Sequence, residues 1–255
     1  MATDQDTPIT NALQRLDLAL AMRVAEAPPQ VCDLTEGLGL PAGPAAPRCQ
    51  WVAGLLGLRG LQVHTDDVQA VIDCDEDRFG PEHHEYALIA GLLRVFDRLA
   101  SPGVGVRRAP DGWILMELFK EFVGSVARFR DHYVRQDSPW DAILYVEYPD
   151  SSQLNAYLDG FNVDSSYMDN RMRFEKLHPV RQAFRVMWHF ARIAPFPDFN
   201  ITMAWVAMDM YLLHAGYPMV IPEPGDRTLL HGMMTGPVPL RIQTFERRLL
   251  GMLEG

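Results

Sequence analysis

A chain of 255 residues with 48% hydrophobic and 22% charged residues is composed like an ordinary globular protein, with room for one large core or two smaller ones. Its net charge of −10 argues against nucleic acid as a partner, because phosphate binding needs clustered positive charge. No apolar run reaches the length of a membrane span and the start, MATDQDTPIT, is acidic and polar, so a cytoplasmic chain with no membrane partner is expected.

Ile9, Leu13, Leu16 and Leu20 recur at helical spacing behind Thr7-Pro8, a cap and first-turn proline. VCDLTEGLGLP reads as a short helix closed by glycine. The next stretch, PRCQWVAGLLGLRGLQVHTDDVQAVIDC, reads as a helix followed by two short strands around the polar turn His64 to Asp67. Three helices and a strand pair make the winged-helix pattern. LLGLRGLQV in that order resembles the N-terminal dimerisation region of small-molecule O-methyltransferases, although no S-adenosylmethionine-binding βαβ pattern follows. Four arginines, no lysine and ten acidic residues up to Asp75 disfavour DNA binding. Residues 1–78 are therefore expected to form a winged-helix-like dimerisation unit, and the chain a homodimer. Cys32, Cys49 and Cys74 form no CxxC pair and read as reduced thiols.

Beyond DEDRFGPEHHEY the pattern becomes helical. Leu88, Leu92, Val95 and Leu99 mark one helix; Leu115, Leu118, Phe122 and Val126 mark another, capped by Asp111. AILYVEYPDSS is the strand signal. His178-Pro179 opens a helix carrying Val180, Phe184, Met187 and Ala191. ITMAWVAMDMYLLHA is apolar nearly all round, as a buried central helix would be, and Ile242, Phe245, Leu249 and Met252 mark a last amphipathic helix.

From about Asp111 onward, the order of these features resembles the Fic domain, a family of protein AMP-transferases. DGWILMELFKEFVGSVARFRDHYV is similar to the helix and arginine-containing connection before the family's β-hairpin flap. AILYVEYPDSSQLNAYLDGF resembles the flap and the helix after it, and LHPVRQAFRVMWHFARIAPFPDFN the helix entering the signature loop. LLHAGYPMVI and DRTLLHGMMTG resemble the segments that follow. The resemblance implies a mainly α fold: a Fic-like helical domain over 79–255 with a β-hairpin flap, preceded by the winged-helix-like unit.

The family signature is His-Pro-Phe, any residue, Asp or Glu, Gly-Asn-Gly-Arg, two residues, Arg. Here Ala194 stands at the histidine, Pro195 and Phe196 are kept, and Asp198 is kept where the family coordinates magnesium. Phe199 and Ile201 replace the glycines around Asn200. Thr202 and Trp205 replace the arginines. Alanine is no base, and a β-branched Ile201 resists the positive φ of an anion-binding nest. Threonine and tryptophan cannot grip phosphate bidentately. A positioned base is worth roughly 10²–10⁴ in rate and one oxyanion-type donor about 10²–10³, so AMP transfer is expected to be lost.

Thr202, Trp205 and Asp209 fall at i, i+3 and i+7, on the helix face where the family's arginines point. A pocket lined by hydroxyl, indole and carboxylate suits a neutral small molecule, so an enzyme of secondary-metabolite biosynthesis is expected. Its chemistry would be nucleotide-independent acid/base work such as cyclisation, dehydration or isomerisation. Asp209, His189 and Asp198 are the catalytic candidates. Phe199, Asn200, Thr202, Trp205, Tyr145 and Tyr148 are the substrate-binding ones; no metal and no cofactor are expected. Each has a structural alternative: pairing of Asp209 with Arg185 or Arg192, turn-capping by Asp198 and Asn200, core packing of His189. A catalytically inactive protein-binding module working through the flap, and residual nucleotidyl transfer from another base, are the other readings. An enclosed pocket bounded by Trp205, Phe199 and the flap favours the enzyme; a filled core there favours the module.

Overall fold

The computed structural model describes residues 13–18, 47–74, 84–100, 109–142, 147–161, 174–235, 244, 247 and 248. Eight α-helices have assigned bounds: α1 Pro47–Arg59, α2 Thr65–Ile72, α3 His84–Ala100, α4 Gly112–Val123, α5 Leu154–Gly160, α6 Pro179–Ile193, α7 Asn200–His214 and α8 Asp226–Thr235. Residues 13–18 are helical too, and bury Leu13 and Leu16. No strand occurs among the described residues.

The helix α7 is the axis of the fold. Every residue from Asn200 to Leu212 except Ile201 is buried, so this helix needs neighbours on all sides. Its most extensive packing is with α6, and the loop 194–199 makes the two a helical hairpin. As expected, α6 opens at His178-Pro179, with the imidazole Nδ1 of His178 accepting from Val180 N–H at 3.2 Å. α4 also starts as expected: Asp111 accepts from Ile114 N–H at 2.8 Å. α3 packs its Leu88, Leu92, Val95 and Leu99 stripe against α4, and Gly91 allows the close approach, because a Cβ there would run into the Phe122 carbonyl.

One expectation is corrected here. The segment around His64 to Asp67 is not a turn between two strands; Thr65–Ile72 is the helix α2. Asp66 and Asp67 occupy its first turn, where the helix dipole favours negative charge, and Asp67 accepts from His64 N–H at 2.8 Å. A wing is therefore not formed by these residues. α1 lies against α3 and α7 and joins their hydrophobic core through Trp51, Val52, Leu55 and Leu56. Tyr217 donates to Asp17 at 2.6 Å and His178 lies 3.1 Å from it, tying residues 13–18 to the end of the α6–α7 hairpin opposite the loop. The expected flap strand falls partly on residues 143–146, outside the described residues; Glu147 to Asp150 are not in a strand. All of the expected last helix except Thr244, Arg247 and Arg248 also lies outside them.

Candidate functional site

The loop between α6 and α7 turns twice through left-handed backbone. Ala194 has φ 42° and ψ 63°, Phe199 φ 62° and ψ 24°. Such a conformation costs a non-glycine residue on the order of 1–2 kcal/mol, so the surroundings must impose it. Phe196 stacks on Phe119 at 3.9 Å, and the Phe199 ring meets Phe122 edge-on at 5.0 Å. Both phenyl groups are fully buried, which outweighs the strain. Ile201 is already helical, so the strain expected there sits at Phe199 instead.

A strap running from residue 128 to 141 braces the loop. The Arg135 N–H donates to Pro195 O at 3.0 Å, and its guanidinium donates to Ala194 O and Pro149 O, each at 2.6 Å. Trp140 N–H donates to Pro197 O at 2.7 Å. Asn200 accepts from Phe196 N–H and donates back to Phe196 O, both at 2.9 Å, and donates to Asp141 at 2.7 Å. Asp141 also accepts from Ile201 N–H at 3.2 Å, so a side-chain carboxylate occupies a donor in the first turn of α7. Burial pushes the Asp141 carboxyl up, against the hydrogen bonds from Asn200 and Ile201.

Asp198 is completely buried and fully engaged. Its Oδ1 accepts from Arg59 Nε and from its neighbour's Phe199 N–H at 2.7 Å; Oδ2 accepts from Arg128 Nη2 at 3.1 Å. Arg59 comes from the end of α1 and Arg128 from the 3₁₀ turn Ala127–Phe129. The Arg128 guanidinium also lies 4.6 Å from the Phe129 ring and 4.8 Å from the Trp140 ring. His84, at the start of α3, feels both charges of this cluster: burial and then Arg128 hold its imidazole below the usual range. The magnesium and nucleotide that the resemblance implies do not fit this arrangement. The carboxylate meant for a metal faces two guanidinium groups, and a donor needed for phosphate is already taken by Asp141.

The α7 face expected to line a pocket is packed core. Thr202 donates to Leu55 O at 3.1 Å, and Trp205 Nε1 donates to Val220 O at 2.9 Å. Asp209 accepts from Trp51 Nε1 at 2.8 Å and Val220 N–H at 2.9 Å. All three residues are fully buried. Burial pushes the Asp209 carboxyl up to about 8, with the two donors pulling it back only in part. Its partners are an indole and a backbone amide rather than Arg185 or Arg192.

His189 is half-buried with its ring stacked on Phe161 at 5.7 Å. Tyr148 lies under the Arg135 guanidinium at 5.9 Å, while Tyr145 is outside the described residues. The structure thus gathers Asp198, Phe199 and Asn200 in one loop cluster and Thr202, Trp205 and Asp209 in a separate seam. Sequence reasoning missed Arg59, Arg128, Arg135, Asp141 and Trp51. Arg128 lay in the arginine-containing connection noted before the flap, and Arg135 just past its end; Arg59 is 139 residues from its partner, and no local pattern marks it.

No family model and no curated protein matches the sequence. Solved structures do match the fold. Fic-1 from C. elegans is similar over 99% of this chain and 71% of its own, at TM-score 0.71 and 13% identity. A single-residue variant of Fic-1 is similar over 97% and 72%, at TM-score 0.63 and 17% identity. A Fic domain-containing signalling protein from Bacteroides thetaiotaomicron is similar over 95% and 93%, at TM-score 0.69 and 15% identity. The chain has the mainly helical Fic fold, and the likeness takes in nearly its whole length, including α1 and α2.

Proposed function

We propose that this Fic-fold chain has lost AMP transfer and works by recognition, its former catalytic loop retained as a structural keystone. The observation that carries this reading is the hold of Arg59 and Arg128 on both carboxylate oxygens of Asp198. Ala194 at the base position and the burial of Thr202 and Trp205 support it. The experiment is transfer of label from ATP to protein, with the wild-type chain and with Ala194→His. Neither is expected to incorporate label, because restoring the base restores no phosphate grip. Label on the wild type would overturn the reading outright. Label on Ala194→His alone would mean that the nucleotide site survives, which overturns it as well.

A role on a small molecule, in secondary-metabolite biosynthesis, is the second reading. Asp209 is a poor acid/base group for it: its carboxyl holds a proton near neutrality, but it is sealed between Trp51 and Val220. What favours this reading is the solvent-exposed side of the Asp198 cluster, where Arg128, His84 and Trp140 are exposed. Turnover there would depend on His84 and Arg128, not on the α7 seam.

A further inference from the structure

At the Asp198 cluster, the two guanidinium groups do more than neutralise one carboxylate. Arg59 spends Nε on Asp198 and Arg128 spends Nη2. Among the described residues, the remaining N–H groups of both arginines have no protein acceptor, and none of these nitrogens is buried without a partner. The side chains stay 28% and 38% exposed, so their spare donors face solvent. Holding one carboxylate between them still leaves both arginines with outer N–H groups able to take a further pair of anionic oxygens. The other carboxylate beside them, Asp141, is turned to donors of its own, Asn200 and Ile201 N–H. Burial and then Arg128 hold the His84 imidazole below its usual range, against Glu85 in the same first turn of α3.

The rim is aromatic. The Arg128 guanidinium lies over both the Phe129 and Trp140 rings, at 4.6 and 4.8 Å, with Phe199 at 5.8 Å, and these contacts restrain it. The Trp140 side chain is 57% exposed, although its backbone N–H is pinned to Pro197 O. An exposed indole beside a restrained guanidinium offers a flat apolar surface next to a fork for two oxygens.

We propose that Arg59, Arg128 and Trp140 form a binding site for an aromatic monocarboxylate, with Asp198 as its inner wall. The ligand's carboxylate takes the spare donors of the two arginines while its ring lies against the Trp140 indole. Asp198 and Asp141 offset the two arginines, so the cluster has no surplus positive charge for a polyphosphate. The inference rests on the reading that the loop does not take a nucleotide, and it names the ligand class of the same cluster.

The test is a titration of the ¹⁵N-labelled full chain with benzoate, with neutral benzamide and with inorganic phosphate, following the Arg59 and Arg128 Nε–H and Trp140 Nε1–H signals. Benzoate is expected to move all three, and benzamide to leave the arginine signals in place. Arg128→Gln should weaken benzoate binding about tenfold, the worth of a charge-assisted pair of hydrogen bonds. Asp198→Asn, which removes one of the two negative charges beside the arginines, should tighten it several-fold. Equal responses to benzoate and benzamide, or unchanged binding in Arg128→Gln with its melting temperature intact, would overturn the proposal. So would a stronger response to phosphate than to benzoate. Magnesium-ATP is run on the same samples: binding of ATP sinks the recognition reading itself, whereas failure of benzoate alone sinks only the ligand class.

Discussion

Two regions one helical turn apart engage their polar side chains in opposite ways. In the seam between α1 and α7, Thr202, Trp205 and Asp209 are hydrogen-bonded to Leu55 O, Val220 and Trp51, and each side chain has a protein partner. At the loop mouth, Asp198 keeps its charge and gains two arginines from outside the signature, Arg59 and Arg128, whose outer N–H groups remain in water. The seam is ordinary protein interior, whereas the mouth keeps polar groups in reach of solvent.

The comparison predicts that stability lives in the seam. Trp205→Ala should cost about 3–5 kcal/mol, since a fully buried indole is removed together with its bond to Val220 O. Thermal or urea unfolding measures this, and a cost below about 1 kcal/mol would mean the seam is looser than described. Asp209→Ala should follow at about 2–4 kcal/mol, because it strands two buried donors, Trp51 Nε1 and Val220 N–H.

Asp209 also sets a direction with pH. Its carboxyl is raised to about 8 in the fold, against about 4 for an unfolded aspartate. Between these values the unfolded chain has released the proton and the folded chain has not. Stability is thus fully present below about pH 4, declines as pH rises, and levels off above about 8. The slope over that window should become shallower in Asp209→Asn, leaving the contributions of Asp141 and Asp226; an unchanged slope would assign the pH dependence elsewhere.

At the mouth the costs should be smaller. Asp198→Ala leaves Arg59 and Arg128 partly solvated, so about 1–3 kcal/mol is expected, less than either seam variant. The smallest effect distinguishes two truncations of one residue. Phe199 has φ 62°, so Phe199→Gly should be more stable than Phe199→Ala by about 1 kcal/mol, the reverse of their usual order. Equal stabilities would mean that the loop relaxes out of the left-handed conformation once the ring is gone.

Much of the frame was legible because periodicity and caps are local. His178-Pro179 and Asp111 mark the starts of α6 and α4, and the all-round apolarity of ITMAWVAMDMYLLHA marks α7 as the axis. α2 was misread because HTDD has turn composition, and the same acidic residues serve equally well as a helix's first turn. The cluster was half legible: Asp198 and Asn200 stand out in the loop, and their capping role was among the alternatives. Its cations were not, since Arg59 reaches Asp198 only through the packing of α1 on α7. The pocket expected at Trp205 failed for the same reason, because spacing places three residues on one face but does not say what faces them.

The most direct measurement of the central claim is calorimetry of ATP with magnesium against the wild-type chain, with Asp198→Ala as the control. The account predicts no binding heat up to millimolar ATP, because Arg59 and Arg128 already hold the carboxylate on which a metal would depend. Micromolar binding that disappears in Asp198→Ala would contradict it, and would return the loop to the grip on phosphate that its sequence has lost.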